Sequence, residues 1–155
     1  MTSNKADFLK KDFLSYLRSI DSATPPSWGK MSLQQMVEHF TDYVQIASGK
    51  TQNTQILTPA EHLQKAQDFV MSDKPFKENT PNPLLPEAPP PVRNISMEEA
   101  LKELETEIDF FFSVFQQNNQ QRTINPFFGD LNFEQNVQLL HKHAMHHLKQ
   151  FGIMV

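Results

Sequence analysis

A chain of 155 residues with a net charge of −4, 11 prolines and only four glycines is long enough for one domain with a real core, spanning 1–155, and it shows no basic footprint for nucleic acid. It has no cysteine, which excludes disulfides, thiolate metal ligands and a thiol nucleophile of its own. No run of about 18 apolar residues exists to span a membrane, and no apolar signal core opens the chain. The expectation is a cytoplasmic, soluble protein.

Residues 5–20 carry Ala6, Leu9, Phe13, Leu17 and Ile20 at three- or four-residue steps, which predicts a first helix. Thr24-Pro25-Pro26 forces a loop, and Trp28 is expected to plug one end of the core. Ser32 and Gln35 form a capping-box pair at the start of a second helix, whose stripe runs Leu33, Met36, Val37, Phe40, Tyr43, Val44 and Ala47 up to Gly49. Thr58-Pro59-Ala60-Glu61 predicts a short helix over 59–71, with Thr58 as cap and Pro59 at the first helical position.

Residues 72–95 hold seven prolines and no period, so an interior helix or central strand is excluded. This stretch reads as an extended strap, with Leu84, Leu85 and Val92 pressing on the helices as it passes. Ser96 and Glu99 open the longest helix, to about Gln117, with Leu101, Leu104, Ile108, Phe111, Phe112 and Phe115 facing the core. Phe110 falls off that face. Residues 118–130 are expected to be loop, with no alternating segment. Asn132 and Gln135 cap the last helix, which Gly152 ends. The sum is an all-α chain, four long helices and a short one, forming a bundle with a long Pro-rich crossover.

Four of the six histidines fall on the last helix, at 141, 143, 146 and 147. His143 and His147 are four residues apart, which stacks them on one face. Relative to the apolar stripe, His147 falls roughly 60° and His143 roughly 100° from its centre on the same side. By the same wheel His146 lies out toward solvent and His141 on the opposite flank. His39 borders the stripe of the second helix. If those two helices pack side by side, three imidazoles meet. Three imidazoles plus water is the open form of a zinc-type site, and nickel also suits imidazole. Gln150, one turn past His147, is placed to hold a ligand in orientation. Glu38, next to His39, points about 100° away from it. The plainer alternatives are an exposed polar face for the pair and a structural or surface role for His39.

The segment from Trp28 to His39, the gap of about a hundred residues, and His143-Ala144-Met145-His146-His147-Leu148-Lys149-Gln150 together resemble the DinB/YfiT-like superfamily of four-helix-bundle metalloproteins. Asn125-Pro126-Phe127-Phe128-Gly129 with Leu131-Asn132 resembles one branch of it. The resemblance covers nearly the whole chain. It implies an up-down-down-up bundle, a divalent metal on His39, His143 and His147, frequent dimerisation, and a low-molecular-weight thiol as cofactor in transferase or isomerase reactions on a small molecule. This chain has Leu148-Lys149 where many relatives carry Arg-Gly. Two other functions stay open: a metal-dependent hydrolase, which needs an acidic general base, and a non-catalytic metal-binding or stress-response protein.

Overall fold

The computed structural model describes residues 2–52, 55–80 and 88–155. It is predominantly helical: α1 (Thr2–Asp7) runs through a π-helical turn (Phe8–Asp12) into α2 (Phe13–Ser19), followed by α3 (Leu33–Ser48), α4 (Ala60–Met71), α5 (Met97–Gln117), a two-stranded hairpin of β1 (Thr123–Asn125) and β2 (Gly129–Leu131), and α6 (Phe133–Gln150). No helix among the described residues is long and apolar enough to cross a membrane.

The first helix starts three residues earlier than its stripe indicated, and the π turn widens its buried face. Phe8 and Leu14 join Leu9, Phe13 and Leu17 in the core. A π turn inserts an extra residue and shifts the stripe out of a strict 3.6 period. α3 and α6 begin as the sequence dictates. Ser32 and Asn132 each accept from the backbone three residues on, while Gln35 and Gln135 reach back. Gly49 ends α3 in the left-handed region, at φ 83°, where its missing Cβ also clears Thr123.

One core joins α1–α2, α3, α5 and α6, and a smaller cluster of Val70, Leu131 and Leu139 joins α4 and the hairpin to α6. Phe13, Phe40 and Phe111, each 0% exposed, come from α2, α3 and α5, and Ala144 and Leu148 close it from α6. Complete burial of such a side chain contributes roughly 1.5–3 kcal/mol. α3 and α5 share the most extensive interface, α1 and α4 both lie on α6, and α3 touches α6 directly. That last contact decides the site, since it brings the second-helix histidine beside the last-helix pair.

Four expectations are corrected. Residues 118–130 are not all loop: Thr123 pairs with Leu131 and Asn125 with Gly129, in strands too short to show alternation. Thr58 does not cap α4. Pro59 occupies the cap position, and the Thr58 hydroxyl donates to Phe127 O at 2.7 Å, tying α4 to the hairpin turn. Trp28 does not plug the core but stands half-buried at a cavity wall. Val92 is not buried against the helices but stays 46% exposed. Leu84 and Leu85 lie outside the described residues.

The end of the strap is fastened by polar bonds instead. The buried Glu38 carboxylate accepts from Arg93 N (2.8 Å), Asn94 N (3.0 Å), Asn94 Nδ2 (3.1 Å) and Gln34 Nε2 (3.2 Å). Gln34 and Gln35 donate in turn to Asn94 O and Pro90 O. Burial alone raises the Glu38 pKa, but the bonds from Arg93, Asn94 and Gln34 outweigh it and leave it lowered. The carboxylate therefore stays charged and contributes stability above about pH 4.5, lost as pH falls through its folded pKa. Glu38→Ala should cost about 1–3 kcal/mol by leaving these donors unpaired. Urea denaturation reads the loss, and amide hydrogen exchange at Arg93 and Asn94 should accelerate more than in the helices.

Candidate metal centre

α3 delivers His39 and α6 delivers His143 and His147. One ligand nitrogen from each falls within 4.8 Å of the others. The His39 ring lies 5.3 Å from each of the other two, centroid to centroid, and His143 and His147 lie 4.5 Å apart. His147 Nε2 and His143 Nε2 are 2.8 Å apart. Nitrogens held at about 2.0–2.1 Å from a tetrahedral ion sit about 3.3 Å from one another. The observed spacings bracket that value, so the donor set fits a divalent cation.

Hydrogen bonding fixes the tautomer of His147. Trp28 O can only accept, so the Gln150 amide turns its Nε2 toward it, at 2.9 Å. Gln150 Oε1 then faces His147 Nδ1 at 2.7 Å and accepts its hydrogen. His147 Nε2 is left bare and aimed at His143. The Gln150 main chain is held as well, its carbonyl accepting from Ser27 N at 2.7 Å. Gly29 permits the approach. Its φ is +77°, and a Cβ there would come within 3.3 Å of Gln150 Nε2. One turn before α3 therefore clamps one side chain at the end of α6.

All three imidazoles are neutral at pH 7. Burial pushes the His39 pKa down to about 4, helped by His146. Burial, then the neighbouring imidazoles, hold His143 and His147 well below the usual value. Neutral rings offer lone pairs without a proton to displace first.

The structure brings together His39, His143, His147 and Gln150. It leaves His62 exposed on α4, apart from them. His146, which the helical wheel turns toward solvent, and His141, on the opposite flank, are both half-buried against aromatic rings. His146 packs 5.2 Å from His147, 5.3 Å from Trp28 and 5.8 Å from Phe76; His141 packs 5.2 Å from Phe8. The covering groups come from the turn at 27–29, the segment after α4 and the π turn, none of which a helical wheel registers. Glu38 faces the strap and not the imidazoles.

Above the three rings lies a cavity of about 610 Å³. Its walls include Tyr43, Trp28, Phe76, Phe127 and Phe128, with Lys77, Asn79 and Thr80 also contributing. Tyr43, one turn past His39, packs its ring 5.0 Å from His39 and 5.2 Å from His143. Sequence reasoning took Tyr43 as a stripe residue and missed Phe76. The signal for Tyr43 was its i+4 spacing from His39; Phe76 had none, lying in an aperiodic segment. Gln150→Leu should weaken divalent-metal binding about 10–100-fold by freeing the His147 ring, as read by competition with a chromogenic chelator.

No curated protein and no solved structure matches the chain. The family model of the DinB superfamily matches residues 10–151, from within the π turn to the residue after α6. That span takes in all three histidines and the turn that clamps Gln150, and the chain belongs to the DinB superfamily.

Proposed function

We propose that this chain is a divalent-metal-dependent enzyme whose ion is held by His39, His143 and His147, and that it uses a low-molecular-weight thiol in a transferase or isomerase reaction on a small electrophilic molecule. One observation carries the reading. Three neutral imidazoles from two helices converge at a cavity that has no aspartate or glutamate among its described lining residues. Zinc or nickel, when bound, supplies a Lewis acid that lowers the pKa of a water or thiol beside it.

The chain's own residues do the rest. His39, His143 and His147 present lone pairs, and Gln150 keeps the His147 lone pair aimed inward. Aromatic side chains make up much of the wall around the three rings. No described lining carboxylate stands ready to take a proton from water, which weighs against the hydrolase reading. A chain without cysteine must borrow its thiol, which agrees with the cofactor proposed. An accessible cavity over the rings weighs against a purely non-catalytic metal binder.

In this reading α1–α2, α3, α5 and α6 form a four-helix bundle in up-down-down-up order. Support comes from the single core they share and from the contacts of α3 and α1–α2 with both α5 and α6. The protein acts as one domain over 1–155, in the cytoplasm, as a homodimer, on a small molecule and without nucleic acid.

His39→Ala, His143→Ala and His147→Ala should each abolish stoichiometric metal in elemental analysis of the purified protein, while His146→Ala retains it. Equal loss from all four contradicts the assignment. In thermal-shift titrations, metal-loaded protein should gain about 2.7 kcal/mol when a recognised thiol stands at a hundred times its Kd. Chelator-stripped protein should show no such gain, and equal shifts in both forms count against the thiol role.

A further inference from the structure

The cavity is sorted by charge and by shape. Trp28, His146, Phe76 and Phe128 follow one another ring to ring, at 5.3, 5.8 and 6.5 Å, and make a collar along one side of the three imidazoles. Phe76 and His146 also touch the floor, 6.1 Å from His143 and 5.2 Å from His147. Successive rings are inclined by 58°, 88° and 39°, so the collar offers both faces and edges, the two surfaces against which another aromatic or unsaturated ring packs well.

Charge is distributed just as unevenly. The segment after α4 carries Asp73, Lys74, Lys77 and Glu78. It sends Lys77 to this cavity, and the other three to a separate cavity of about 390 Å³ on the far side of Phe76 and His146. There Glu78 is paired with Lys149 at 2.9 Å. Among the described residues, therefore, the imidazole cavity has a lysine and no carboxylate in its lining. Neutral ligands also leave a bound dication without a compensating charge from this shell, and charge in a low-dielectric pocket seeks its opposite.

We infer that this cavity selects a flat, unsaturated small molecule bearing an anionic group, an aromatic carboxylate in its simplest form. Its unsaturated body packs within the collar of Trp28, Phe76 and Phe128. Its charge is directed to Lys77 and the imidazole floor. The inference deepens the proposed metal site and rests on that reading for the floor's charge; the collar and Lys77 stand without it. A volume of about 610 Å³ falls in the usual range for ligand pockets and leaves room for a second small ligand.

The test compares three probes by calorimetry on the full chain, metal-loaded and chelator-stripped. They are cinnamate, its neutral analogue cinnamyl alcohol, and the non-planar anion cyclohexanecarboxylate. Loaded protein should bind cinnamate about tenfold or more tightly than either comparator. Trp28 is the only tryptophan in the chain, so quenching of its fluorescence places cinnamate at the collar. Lys77→Gln, a change at an exposed residue, should weaken cinnamate and leave cinnamyl alcohol unchanged. Phe76→Leu should weaken both aromatic probes without lowering metal content. Equal affinity for the three probes, or a Lys77→Gln protein that binds cinnamate as wild type does, overturns the inference and leaves the metal site standing. A chain that takes up no metal yet still prefers cinnamate sinks the metal reading and keeps the inference.

Discussion

The hydrogen-bond relay from Trp28 O through the Gln150 amide to His147 Nδ1 is the constraint on which the site depends. A lone imidazole on a helix can turn either nitrogen inward and exchange tautomers freely. Here a carbonyl that can only accept sets the amide, the amide sets the ring, and the ring presents one bare nitrogen. The relay also joins parts of the chain 122 positions apart. The turn before α3 is thereby locked to the end of α6, the two helices that supply the three rings. Orientation of the donors and packing of the helices are one interaction, which is why a glycine with positive φ sits beside it.

Segments outside the long helices turn this donor set into a place where a molecule can bind. The α3, α5 and α6 stripes build the core, and they leave the histidine face of α6 uncovered. The turn at 27–29, the stretch after α4 and the hairpin turn then raise walls around it, with Trp28, Phe76, Phe127 and Phe128 as the panels. α4 is joined to that structure by Thr58 and Gln67, which donate to Phe127 O and Phe128 O. The strap is fastened to α3 through Glu38, the residue just before His39. Adjacent positions on one helix thus serve opposite duties about 100° apart, one facing the strap and one the rings.

Helix periodicity and capping chemistry made much of this readable in advance. Ser32, Gln35, Gly49, Asn132 and Gln135 mark helix ends that local bonding alone decides, and the structure has them where the sequence puts them. The convergence of His39, His143 and His147 was legible for a related reason: an i, i+4 pair and a stripe-border residue need only one helix contact, α3 on α6, to meet. What a wheel does not encode is the covering of a helix by irregular chain. Its own helix turns His146 outward, yet Trp28 and Phe76 pack against its ring and leave it half-buried. The hairpin at 123–131 escaped notice because three-residue strands carry no detectable alternation. The π turn at Phe8–Asp12 shifted the buried set of the first helix by a mechanism that a fixed 3.6 period does not contain.

The function proposed for this site rests on neutral donors, an aromatic-walled cavity and the lack of a carboxylate among its described lining residues, with the thiol brought in from outside because this chain has no cysteine. X-ray absorption at the metal edge of the loaded protein tests that account most directly. It predicts three imidazole nitrogens at about 2.0–2.1 Å with one further light scatterer, and a sulfur at about 2.3 Å once a recognised thiol is added. A first shell without the imidazole signature, or one closed by four protein ligands and unchanged by thiol, would contradict it.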